Sequence, residues 1–109
     1  PDLCNVGGIT EGKKICDYAH VYDIGVQVHC CGGPVSASAA LQLEAVIPNF
    51  VIHELHASAL IEDNIRLCKN DYVAKGGYFE EPGIGQELTD YALSNADVVT
   101  VKLDYLLKK

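Results

Sequence analysis

The strongest constraint on this chain's fold is an alternation in its first half. Short runs rich in β-branched and apolar residues are separated by longer stretches with helical spacing. Pro1 to Val6 reads as the end of a strand that runs into a Gly7-Gly8 turn. From Glu11 to about Tyr22 the apolar residues Ile15, Cys16, Ala19 and Tyr22 recur at helical intervals, and Thr10 is placed to cap that helix. Gly25 to His29 is a second strand. Gly32-Gly33-Pro34 is a turn, with Pro34 suited to the first position of a helix over about Val35 to Val46. Small side chains on that helix let its backbone lie close to a sheet. Pro48 and Asn49 end it, and Phe50 to Leu55 is the third strand. Strand, helix, strand, helix, strand with tight connections implies parallel βαβ units, hence an α/β fold.

Beyond Leu55 the pattern loosens. Ala57 to Cys68 is expected as helix and Tyr72 to Phe79 as extended chain. Pro82 to Gly85 is expected as a turn, and Gln86 to Leu93 as a further short helix. Three parallel strands make a poor complete domain, because such strands are normally buried on both faces and their edges need covering. The chain of 109 residues also contains no Met. Both features lead to the expectation that it is the last part of a longer protein, with residues 1–93 in the α/β domain and 94–109 a tail of uncertain role. A small protein complete in itself is the alternative.

Composition excludes some classes. Half the chain is hydrophobic (49%), which suits a packed core rather than disorder. A net charge of −7 argues against nucleic acid, which needs clustered Lys and Arg. No stretch approaches a membrane span. Cys4, Cys16, Cys30, Cys31 and Cys68 are odd in number and lack paired spacing, so they are expected as reduced thiols in a cytoplasmic compartment.

In parallel α/β architectures functional groups gather at the C-terminal ends of strands. Asp2, His29 and Glu54 all fall there, 27 and then 25 residues apart, one βα repeat each. Adjacent strands would bring the three side chains to one rim. Asp2 can hold one imidazole nitrogen of His29 and fix its tautomer, leaving the other as general acid or base. Glu54 can hydrogen-bond a carboxylate or enolate oxygen when protonated, or place a hydroxyl. Spacing alone leaves open that His29 is solvated or bonded to backbone, and that the carboxylates act as caps or ion partners.

The other histidines rank lower. His20 is expected on a helix surface, and alternation sends His53 to the face opposite Glu54. His53-Glu54-Leu55-His56 lacks the interval of a helical zinc motif, so no metal ligands are assigned. Cys30 and Cys31 are read as buried structural thiols rather than reactive ones. The two Gly-Gly pairs are too short for a phosphate loop.

These residues also carry a family resemblance. Pro1-Asp2-Leu3-Cys4-Asn5-Val6-Gly7-Gly8-Ile9-Thr10-Glu11 resembles the sixth-strand signature of the enolase superfamily, in its mandelate racemase and galactonate dehydratase branch. Val28-His29 with Gly33-Pro34 is similar to the seventh strand, and Phe50 to Glu54 to the eighth. Glu81-Pro82-Gly83-Ile84-Gly85-Gln86-Glu87-Leu88 resembles the C-terminal segment. The resemblance implies strands six to eight of a (β/α)7β TIM-like barrel and a Mg²⁺-dependent sugar-acid dehydratase. Asp2 and His29 are then the acid–base dyad, and Glu54 a substrate contact. It also implies Mg²⁺ ligands on earlier strands outside this chain, an N-terminal remainder of the same protein as partner, and a homo-oligomer. The 109 residues alone are expected to be inactive. A racemase or cycloisomerase of the same superfamily is the close alternative, and a non-catalytic α/β interaction module the distant one. The family's usual residues after the histidine are Asn-Pro or Cys-Pro, where this chain has Cys30-Cys31.

Overall fold

The computed structural model describes residues 1–56, 60–73, 76 and 81–100. Five helices appear among them: α1 (Leu3–Val6), α2 (Ile9–Val21), α3 (Pro34–Glu44), α4 (Glu62–Ile65) and α5 (Asp90–Asn95). The expected first strand is cut short. Asp2 makes a single parallel bridge to His29, and the chain then turns at once into α1. The Asp2 carboxylate accepts the Cys4 amide (2.8 Å), which makes it a helix cap, and Gly7 closes the turn at φ 103° with its amide returned to Leu3.

The helix expected from Glu11 begins earlier, at Ile9, and ends at Val21. Thr10 is therefore inside it. Gly8 caps α2 without a side-chain hydrogen bond. Lys13–Asp17 and Lys14–Glu11 pairs lace its outer face. Pro34 opens α3 as expected, and the helix ends at Glu44 rather than Val46.

The second and third strands pair in parallel through one bridge, Val26 to Phe50, held by Val26 N–H to Asn49 O (2.7 Å) and Val51 N–H to Val26 O (3.0 Å). The order of pairing is that of successive βα units, although the ladders are single bridges rather than long strands. Asn49 reinforces the corner: its amide donates to the carbonyls of Cys16 (3.0 Å) and Ile24 (2.9 Å), tying α2 to the strand that follows it.

The core lies among α1, α2, α3 and the extended segment before α3. Leu43, Val28 and Cys16 are fully buried there, with Leu3, Ala37 and Ala40 around them. The small residues of α3 serve as anticipated, since Ala37, Ser38 and Ala40 are buried against the sheet side. Gly12 fills the corresponding place on α2. A Cβ there would stand 2.4 Å from Leu3 Cδ2 and 3.1 Å from Leu43 Cδ2, so any larger residue must displace Leu3 and press Leu43 where the three helices meet.

The second half departs further from expectation. Residues 57–59 of the anticipated Ala57–Cys68 helix lie outside the described residues, and the rest contains only the four-residue α4. Leu60, Ile61 and Ile65 are all exposed, so a longer helix would have no apolar face to bury, and packing is what sustains short helices. Cys68 pairs antiparallel with Leu88 instead. Gln86 to Leu88 are thereby extended, and the expected helix over Gln86 to Leu93 starts at Asp90, where Thr89 accepts the Ala92 amide (3.2 Å). Tyr72 and Val73 form a turn. Positions 74–75 and 77–79 of the expected extended stretch, and 101–109 of the tail, lie outside the described residues.

Candidate active site

The bridge between Asp2 and His29 places the two side chains together. His29 N–H donates to the Pro1 carbonyl (2.9 Å), which fixes the register, and His29 Nδ1 lies 2.7 Å from Asp2 Oδ2. The other carboxylate oxygen, Oδ1, accepts the Cys4 amide. Both oxygens of Asp2 are thus committed, one to the imidazole and one to the helix start. The hydrogen bond from His29 holds the Asp2 carboxyl below the usual carboxylate range. Burial opposes this, and the Cys4 amide adds to the lowering. Asp2 is therefore ionised at neutral pH, which favours the tautomer with the proton on Nδ1 and leaves Nε2 for a substrate. The His29 side chain is half exposed (52%), while Asp2 is largely covered (16%), so the dyad presents its imidazole and hides its carboxylate.

Glu54, half-buried at the end of the third extended segment, accepts the Cys30 amide at 3.1 Å. The structure thus brings Asp2 and His29 into direct contact and seats Glu54 on the residue that follows His29. The remaining histidines sort as follows. His20 is exposed on α2. His53 hydrogen-bonds the buried Glu44 of α3 (2.7 Å), apart from Glu54's partner, as alternation requires. A groove of about 460 Å³ between the first turn of α3 and α5, lined by Pro34, Leu67, Leu88 and Tyr91 among others, includes none of the three candidate residues.

The vicinal cysteines are not alike, and the reading of both as buried thiols is corrected. Side chains alternate along extended chain, so Val28 and Cys30 are buried while His29 and Cys31 are exposed. Burial pushes the Cys30 thiol up, against weaker lowering by Ser36. Cys31 stands with the dyad: ligand atoms of Asp2, His29 and Cys31 all lie within 4.8 Å of one another. Carrying the strand alternation two residues past His29 is the signal that places Cys31 on the site face. All five cysteines are free.

The resemblance implies Mg²⁺ held by residues outside this chain, and the donors gathered here do not suit that ion. Mg²⁺ takes an octahedral set of oxygens. The cluster supplies one carboxylate, one imidazole and one thiol, too few oxygens for such a set.

Among the described residues, no helix is long and apolar enough to cross a membrane. Comparison with known proteins locates the chain. The family model for enolase C-terminal domain-like proteins matches residues 1–92. D-galactonate dehydratase from Cronobacter sakazakii is 35% identical over 83% of this chain, which spans 26% of that protein's length. A crystal structure of a member of the enolase superfamily from Salmonella Typhimurium superposes with a TM-score of 0.85 at 57% identity, covering 94% of this chain and 27% of that one. The chain therefore spans about a quarter of the length of the relatives it matches. On the match over residues 1–92, the chain belongs to the enolase superfamily, as part of its α/β C-terminal domain.

Proposed function

We propose that the protein is the C-terminal part of a sugar-acid dehydratase of the galactonate-like class, and that Asp2 and His29 form its acid–base dyad. The observation that carries this reading is the 2.7 Å contact between Asp2 Oδ2 and His29 Nδ1, beside the half-exposed imidazole. With Nδ1 turned to Asp2, Nε2 is the nitrogen that faces solvent and can carry a proton to or from a substrate. His29 as imidazolium protonates the β-hydroxyl as it departs, so that the C3–O bond breaks and water leaves. The ionised Asp2 steadies the cation until that transfer and fixes the ring's orientation. The α-proton is taken by a base on residues beyond this chain, and the resulting enol becomes a 2-keto-3-deoxy acid. Glu54, with one oxygen on the Cys30 amide, keeps its other oxygen for a substrate hydroxyl.

The same reading treats the segments ending at Asp2, His29 and Glu54 as strands six to eight of a (β/α)7β barrel. The parallel bridges Asp2–His29 and Val26–Phe50 support that order. An N-terminal remainder of the protein would supply the earlier strands, the Mg²⁺ ligands and the opposing base. Exposed Phe50, Val51 and Ile52 support such a cover, because contiguous apolar surface of this kind is normally buried. A homo-oligomeric, cytoplasmic enzyme with a small sugar-acid substrate completes the proposal.

The test uses the intact protein with a panel of aldonates in Mg²⁺ buffer, scored for 2-keto-3-deoxy acid. Turnover of at least one aldonate, lost in His29→Asn, is the expected result. Epimerised substrate without keto acid would make the protein a racemase instead. Unchanged turnover in His29→Asn would remove the dyad from the mechanism.

A further inference from the structure

The exposed thiol beside the dyad has no part in dehydration. The donor set around it is nonetheless specific: one carboxylate oxygen, one imidazole nitrogen and one sulfur within 4.8 Å of each other. That mixture is disfavoured by hard, oxygen-seeking cations and preferred by borderline and soft ones.

We propose that Asp2, His29 and Cys31 form a three-ligand site for a thiophilic divalent cation such as Zn²⁺ or Cd²⁺. Bonds of about 2.0–2.3 Å in tetrahedral geometry place ligand atoms roughly 3.5 Å apart, so side-chain shifts of about 1 Å close the site. The exposure of His29 and Cys31 leaves them free to make those shifts. Asp2 is the fixed point, held by the Cys4 amide, and it supplies the charge that draws the cation in. On binding, the Cys31 thiol releases its proton to solvent, the imidazole proton moves from Nδ1 to Nε2, and Nδ1 and Asp2 Oδ2 exchange their hydrogen bond for bonds to the cation. Three protein ligands leave the fourth position to water or to a substrate oxygen.

The alternation that buries Val28 and Cys30 is what puts His29 and Cys31 on one face. An Asn or Pro at either place after the histidine would not create this set, and only the second cysteine completes it. Cation binding stands on this geometry alone. Its consequence, that zinc occupies the proton-transfer group and stops turnover, rests on the dehydratase reading.

The experiment titrates the intact protein with Cd²⁺ alone and follows ultraviolet sulfur-to-cadmium charge transfer. One saturable equivalent is expected in the parent protein and in Cys4→Ser, with none in Cys31→Ser. His29→Asn and Asp2→Asn should each bind roughly tenfold more weakly or worse, since even outer-shell changes cost that much at metal sites. Thermal melts of each variant confirm folding. No saturable charge transfer in the parent overturns the site, as does a signal that survives Cys31→Ser. Equal affinity in both dyad variants reduces it to a simple thiol adduct and also overturns it. None of these readouts depends on turnover, so the site can fail while the dehydratase stands, or the reverse.

Discussion

Glu44, in the last turn of α3, carries its carboxylate into the interior (4% exposed) and meets His53 Nδ1 at 2.7 Å. Burial pushes this carboxyl above the usual glutamate range, and the hydrogen bond and charge of His53 pull it back only in part. The pair is imperfectly satisfied, because Glu44 Oε1 and His53 Nε2 are buried without partners. A carboxyl raised on folding contributes stability that is full below its ordinary value and lost as pH rises through the folded one. Stability attributable to Glu44 should therefore fall on going from acid toward neutral pH. Glu44→Gln keeps an acceptor for His53 and removes the charge. Its melting temperature should match the parent's in acid and equal or exceed it at pH 7–8, as read by circular dichroism across pH.

Asp2→Asn separates chemistry from folding. Asn caps helices as well as Asp, so the start of α1 should survive, and stability should change by less than about 1 kcal/mol. The fixed tautomer and the counter-charge to His29 are lost. Dehydration rates in the intact protein should drop by roughly 10²–10⁴. A large fall in melting temperature accompanying the rate loss would make Asp2 a structural residue first.

Gly12→Ala addresses the three-helix contact. Alanine gains up to about 1 kcal/mol of helix propensity, but its methyl group must displace Leu3 and press Leu43. Overpacking of this kind costs about 1–3 kcal/mol, so net destabilisation is expected. Urea denaturation of the intact protein measures it, and a stabilised variant would show that Leu3 repacks freely.

Asn49→Ala removes both donors that tie α2's carbonyl at Cys16 and the turn carbonyl at Ile24 to the third segment. Cys16 keeps its helical partner and Ile24 is open to water, so the loss is that of two ordinary hydrogen bonds, about 0.5–1.5 kcal/mol each. Amide hydrogen exchange should rise first near Val26, whose N–H bonds the Asn49 carbonyl.

The βα order of the first 55 residues is legible because local and global signals agree on it. Pro34 starts α3 where its missing N–H costs nothing, and the small residues after it are those that are buried. The 27-residue step from Asp2 to His29 matches one βα unit, and the two side chains meet. Two things were hidden. The turn into α1 depends on the Asp2 side chain choosing the Cys4 amide, a local competition that hydrophobic period does not report. Cys31 is masked by its neighbour, because a vicinal pair suggests one environment while extended chain gives the two thiols opposite faces. After Leu55 exposed apolar residues such as Leu60 and Ile61 mimic a helix that has nothing to pack on.

The closure between Asp2 and His29 has a consequence for assembly. The pair is 27 residues apart in sequence, and α2 must bridge that gap. Closing such a loop costs entropy before any contact is made, and that cost grows only slowly with its length. A contact of this separation repays that cost only when the intervening chain is ordered. A chain in which α2 has not packed therefore leaves the His29 imidazole without its carboxylate partner and free to turn.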